Sequence, residues 1–148
     1  MADHARKQVR GAAVADLVGL PLTGARVFSA RVRPIKDDEC PCLNVFMLDE
    51  ETGWDAQGTM LRTGSLVVEG RAVGDDLFDQ LDAVAAEVEA AIFGETPNLT
   101  GLLQMIGTPR TQIEVLDPQQ GAERRHGTVR ILFPVQYRTG ISDPTSIV

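Results

Sequence analysis

The stretch Ser65–Phe93 most constrains what this chain can fold into. Leu66, Val67 and Val68 open an apolar run that continues through Glu69, Gly70, Arg71, Ala72 and Val73. Gly74 and Asp75 break the run and offer a helix N-cap, because an Asp carboxylate accepts from the free N–H groups of a first helical turn. Leu77, Leu81, Val84, Val88 and Ile92 then recur at helical spacing, with Phe78, Ala85 and Ala91 beside them. Gly94 is a natural stop, since it tolerates left-handed backbone angles. The unit reads as strand, tight turn and helix.

The other elements follow in order. Asp3–Val18 reads as a first helix capped by Asp3, with Val9, Ala13 and Leu17 as a thin apolar stripe. Arg26–Arg33 alternates with period two: Phe28, Ala30 and Val32 face one way, Val27, Ser29, Arg31 and Arg33 the other. Cys42–Leu48 is apolar on both faces and reads as a central strand. Asp49–Gly64 is acidic and without period, so it is expected to be a long mobile loop holding the only tryptophan, Trp54. Glu95–Gly107 suggests one or two helical turns, and Thr111–Leu116 a strand. Asp117–Gly127 reads as a polar turn region. In Thr128–Arg138 the residues Val129, Ile131, Phe133, Val135 and Tyr137 form the longest alternation in the chain. Pro134 has no N–H for a ladder, which predicts an edge position or a bulge there. Gly140–Val148 has no pattern and is expected to be a flexible tail.

Together these give one α+β domain over residues 1–148. Its sheet is mixed, mostly antiparallel and of about five strands, with helices packed on one face. No apolar run approaches the ~20 residues that span a bilayer. Met1–Gly11 is charged and lacks the apolar region of a signal peptide, so synthesis in a reducing cytoplasm is expected. The formal net charge of −7 is unevenly spread. Residues 1–36 hold seven Lys/Arg against two acids, and residues 37–100 hold two Arg against fifteen acids. Such polarity can steer copies together head to tail. Nucleic-acid binding is not favoured, because the basic N-terminal segment lacks interleaved aromatic residues.

The chain carries no catalytic motif. His4 and His126 lie near an end and in a turn, where nothing fixes them beside a nucleophile. Cys40 and Cys42 with His126 fall short of the four ligands of structural zinc. The carboxylates of the acidic helix read as a solvated face, and Asp49, Glu50 and Glu51 lack the ligand spacing of a calcium loop. No cofactor, no metal and no enzymatic activity are expected.

The order of elements carries a family likeness. A basic N-terminal helix and an alternating strand lead into a "PCLNVFML" strand and an acidic stretch. A "GSLVVEGRA" strand then enters an acidic helix, and the last strand ends in Tyr137. In this the chain resembles the tail terminator (minor tail) proteins of long-tailed bacteriophages and related phage-like gene transfer particles. Pro41, Leu43 and Val45 match that family's Pro-x-Leu/Ala-x-Val strand, and Val129–Tyr137 its closing strand. The resemblance implies a virion structural protein at the head-proximal end of the tail, made in the host cytoplasm. Six copies would form a ring that caps the tail tube, stops its polymerisation and meets a head completion or neck protein. DNA would pass through the ring without specific binding, and no membrane is involved. The alternatives are another tail or neck subunit, such as a tube or head-closure protein, or a small ligand-binding domain or enzyme.

Charge and position, rather than the family, supply the candidate contact residues. Trp54 with Asp49, Glu50, Glu51 and Arg62 is the expected tube or neck contact. Arg6, Lys7, Arg10, Arg31 and Arg33 are expected to meet Asp75, Asp76, Asp79 and Asp82 of a neighbouring copy.

Overall fold

The computed structural model describes residues 2–94, 97–116 and 124–148. Helix α1 spans Ala5–Leu17, followed by strand β1 (Val27–Ser29) and a short 3-10 turn at Asp37–Glu39. Strands β2 (Cys42–Trp54) and β3 (Thr59–Val73) form a hairpin, and β3 runs into helix α2 (Leu77–Ile92). A single turn at Pro97–Gly101, β4 (Met105–Ile106), β5 (Arg110–Leu116) and β6 (His126–Gly140) complete the chain. The sheet order is β1-β2-β3-β6, with β4 and β5 both on the far edge of β6. Only β1–β2 is parallel. The fold is α+β, as the pattern of elements predicts.

The core lies between this sheet and one layer of two helices. Alternation along β6 sends Val129, Ile131, Phe133, Val135 and Tyr137 inward, where they meet Leu66 and Val68 of β3 and Leu77, Leu81, Val84, Val88 and Ile92 of α2. Helix α1 adds Ala5, Val9, Ala13 and Leu17 beside it. Two glycines set how closely α2 approaches. A Cβ at Gly70 would stand 2.9 Å from Val84 Cγ1, and one at Gly127 2.9 Å from Leu81 Cδ1.

Several expectations are corrected. Asp49–Gly64 is not a loop: β2 continues to Trp54, β3 starts at Thr59, and the pairing runs unbroken from Asp49↔Ser65 to Trp54↔Met60. A register shift between Met47 and Asp49 breaks the alternation there, and from Asp49 to Thr52 the β2 side of the ladder beyond it is polar and carries no apolar pattern. Gly140–Val148 is not a loose tail. Ile147 bridges Thr139, Val148 N–H donates to the Arg138 carbonyl at 3.0 Å, and Pro144 O accepts from Ala5 N at 2.8 Å.

Strand β1 is shorter than its alternation suggests. Ala30 takes a positive φ of 51°, and the Asn44 amide holds Arg31 by its backbone, accepting from N at 3.0 Å and donating to O at 2.9 Å. The chain then leaves the sheet, with Val32 99% exposed. It crosses the helix-free face until Asp37 meets His126 Nε2 at 3.3 Å. His126 therefore begins a strand rather than sitting in a turn; part of the predicted turn, residues 117–123, lies outside the described residues.

Local details differ too. His4, not Asp3, caps α1, its Nδ1 accepting from Arg6 N at 3.0 Å, while Asp3 pairs with Lys7. Asp76, not Asp75, holds the cap position of α2, and its carboxylate takes the Gln80 amide instead of a first-turn N–H. The turn expected within Glu95–Gly107 is wound left-handed through Asn98, Leu99 and Thr100. Glu95 and Thr96 lie outside the described residues. Pro134 sits in an interior strand, paired with Ser65. Its carbonyl accepts from Gly107 N, so the missing N–H faces the break between β4 and β5, where no ladder bond is forgone.

Candidate functional site

Beyond the bulge, Glu50, Thr52 and Trp54 share the helix-side face of the hairpin with Arg62 and Met60. Tyr137 and Thr139 of β6 join them there. The result is a buried polar cluster at the base of a two-stranded arm. The Glu50 side chain is 6% exposed, and its Oε2 meets Arg6 Nη1 at 2.7 Å and Arg62 Nη1 at 2.9 Å. Its Oε1 accepts from the Tyr137 hydroxyl. Arg62 Nε donates to Thr139 Oγ1 at 2.9 Å.

The electrostatics follow from that packing. Burial alone would raise the Glu50 pKa, but the Tyr137 and Arg6 hydrogen bonds and the Arg62 charge hold it below the ordinary carboxylate value. Burial and the same carboxylate push the Tyr137 hydroxyl above its usual range. The cluster ties α1, the hairpin and β6 into one unit, and the arm leaves from it.

At the arm's tip Trp54 is 77% exposed. A turn at 55–58 closes the hairpin, with Gly58 at φ 85°. Asp55 pairs with Arg138, and Gly58 O accepts from Ile141 N at 3.2 Å, so the tip is fastened to the C-terminal segment. The predicted contact set therefore divides. Trp54, Asp49 and Glu51 are exposed, whereas Glu50 and Arg62 are interior and braced against each other.

The predicted subunit contact also divides. Asp75, Asp76, Asp79 and Asp82 are exposed on α2 or the turn before it, as expected for contact residues. Arg31 is not available: its guanidinium lies 4.5 Å from the Phe28 ring centroid and grips Glu39 through two nitrogens at 2.6 and 2.9 Å. That side-chain hydrogen bonding, with the Lys36 backbone N–H, pulls Glu39 down to about 2. Arg6 is committed to Glu50 and Lys7 to Asp3, Arg10 is half-buried, and only Arg33 stands exposed without a named partner. The basic helix α1 lies beside α2 in the same layer, so the two opposite charges belong to one face of the molecule.

Phe78 was expected beside the core, yet it is 61% exposed among the acids of α2. Its place at 78, one step off the buried 77, 81, 84, 88 series, is the signal for an outward position. Strand β5 carries the exposed Arg110, Gln112 and Ile113. Among the described residues no group of three or more His, Cys, Asp and Glu is arranged to hold a metal. Comparison with protein-family models and with curated proteins gave no match.

Proposed function

We propose that this chain is a structural subunit that closes into a ring on the end of a tail tube, halts tube growth and offers its outer surface to the neck. The observation that carries the reading is the arm. A tryptophan 77% exposed at the tip of a hairpin, on a base of buried ion pairs, is a contact residue presented on a stiff lever. Single exposed aromatics of this kind supply much of the binding energy in protein interfaces. A braced arm favours docking of a preformed strand pair over ordering of a loop on contact. The acidic flank of α2, away from the arm, is left for the neighbouring copy. The resemblance of the order of elements to that of tail terminators supports reading the assembly as a tube cap.

Electron microscopy of particles lacking this protein tests the reading. Over-long tails are the expected result. Absent tails would make the chain a tube subunit, and tails of normal length without heads would make it a neck subunit. On purified components, Trp54→Ala should leave the unfolding midpoint unchanged and weaken tube binding roughly 10- to 30-fold. Unchanged affinity would remove Trp54 from the contact.

A further inference from the structure

Strand β5 (Arg110–Leu116) lies at the far edge of the sheet and is bonded on one side to β6. Among the described residues, no backbone group of this strand bonds outside that ladder. Alternate residues of a strand aim their N–H and C=O groups away from the partner, so β5 presents a row of unpaired donors and acceptors. Six of its seven residues are exposed, Ile113 by 42% and Leu116 by 47%. It contains no Pro, Gly or bulge, and Thr111, Ile113 and Val115 are β-branched.

The opposite edge is guarded. Strand β1 runs for three residues and stops where Ala30 takes a φ of 51°. Beyond it, β2 carries the register shift between Met47 and Asp49 and then the exposed acids Asp49 and Glu51, which would repel a like strand. Short strands, bulges and charges are devices that keep sheet edges from pairing with other chains.

Strand β5 carries charge too, but of both signs. Arg110 and Glu114 stand opposite Leu132 and Thr128, so they share the helix-free face, while the alternate residues Val129 and Ile131 turn to the core. They lie two places before and two places after Gln112, roughly 13 Å apart along the strand. Neither has an ion pair or side-chain hydrogen bond among the described residues, and the nearby Arg130 is held by Glu69 at 3.0 Å.

Such a strand is complementary to itself. A two-fold axis through Gln112, perpendicular to the sheet, lays β5 antiparallel on β5 of another copy. Arg110 then stands opposite Glu114 twice, Thr111 opposite Ile113 twice, and Gln112 opposite its own counterpart. Cross-strand pairs of opposite charge stabilise a sheet, and like charges directly opposite destabilise it. An axis through Ile113 would instead set Arg110 against Leu116. We infer that the occupant of the β5 edge is β5 of a second copy of this chain, antiparallel and centred on Gln112. A two-fold contact joins two copies and cannot by itself close a ring, so the inference stands apart from the tube-cap reading.

Charge exchange tests it. Dimer dissociation is followed by analytical ultracentrifugation, with circular dichroism as the check on folding. Arg110→Glu and Glu114→Arg each set like charges opposite one another at both ends of the pair, and each alone should raise the dissociation constant roughly tenfold or more. The double variant R110E/E114R restores both pairs and should return the dissociation constant to near the wild-type value. The register has its own readout. Gln112→Cys sets two thiols across the axis at a spacing that a disulfide spans, so diamide should link it into a covalent dimer above the wild-type background of Cys40 and Cys42. Ile113→Cys, opposite Thr111, should stay at that background. Single variants that dimerise as the wild type does, a double variant that fails to recover, or linking of Ile113→Cys in place of Gln112→Cys would overturn the contact. A wild-type chain monomeric at every concentration would overturn it as well. A wild-type ring that every variant still forms, with no two-fold dimer, would overturn it and leave the tube-cap reading standing.

Discussion

Glu50 of the hairpin arm and the outward aspartates of helix α2 are acids put to opposite uses. In the arm, Glu50 turns inward and is surrounded by Arg6, Arg62 and the Tyr137 hydroxyl. On α2, Asp79 and Asp82 turn outward on a helix with no cation of its own, and Asp75 is exposed in the turn before it. The first arrangement spends charge on fixing one geometry, because a buried ion must be fully paired to be tolerated. The second leaves charge for whatever approaches. Acidic composition is the same signal in both; the difference lies in which strand or helix face the residue occupies.

Substitutions that break each side of this contrast should differ in size. The largest effect belongs to Glu50→Ala, which strands Arg62 in the interior; chemical denaturation should show a loss of about 3–5 kcal/mol. Tyr137→Phe removes one hydrogen bond to the same carboxylate and should cost about 1–3 kcal/mol in the same assay.

Acid should act next. Because Glu50 is held below the ordinary 4.5, its contribution is complete above that value and is lost as pH falls through the folded-state pKa. Glu39, at about 2, behaves likewise over the window from about 4.5 down to about 2. The unfolding midpoint of the wild type should therefore fall in that range, and Glu50→Ala should flatten part of the slope. Arg31→Ala, which frees Glu39, should flatten another part. The smallest effect on folding belongs to Asp79→Asn, which should change stability by no more than about 0.5 kcal/mol. A loss from Asp79→Asn as large as that from Glu50→Ala would erase the distinction between the two regions.

Much of this was legible beforehand because burial leaves a period. The 77, 81, 84, 88, 92 series and the alternation from Val129 to Tyr137 both point to the core that forms. The arm was illegible for the converse reason. Its inward positions, Glu50 and Arg62, are polar, as is Thr139 of β6 beside them, so a hydropathy pattern cannot show them as inward. Leu48 at the bulge also resets the phase of β2 just where the pattern fades. The C-terminal segment was hidden similarly, since its attachments at Ala5 and Arg138 are made by backbone groups that every residue carries.

By itself the sequence determined the fold class, the inward faces of α2 and β6, and the uneven spread of charge. These are local properties, set by the spacing of side chains along one element. Only the tertiary structure decided which charges are free to act. Pairing brings residues distant in sequence, such as Arg6 with Glu50 and Arg62 with Thr139, within hydrogen-bonding reach. Such contacts depend on strand register and on the helix laid across it, which no single stretch of the chain encodes.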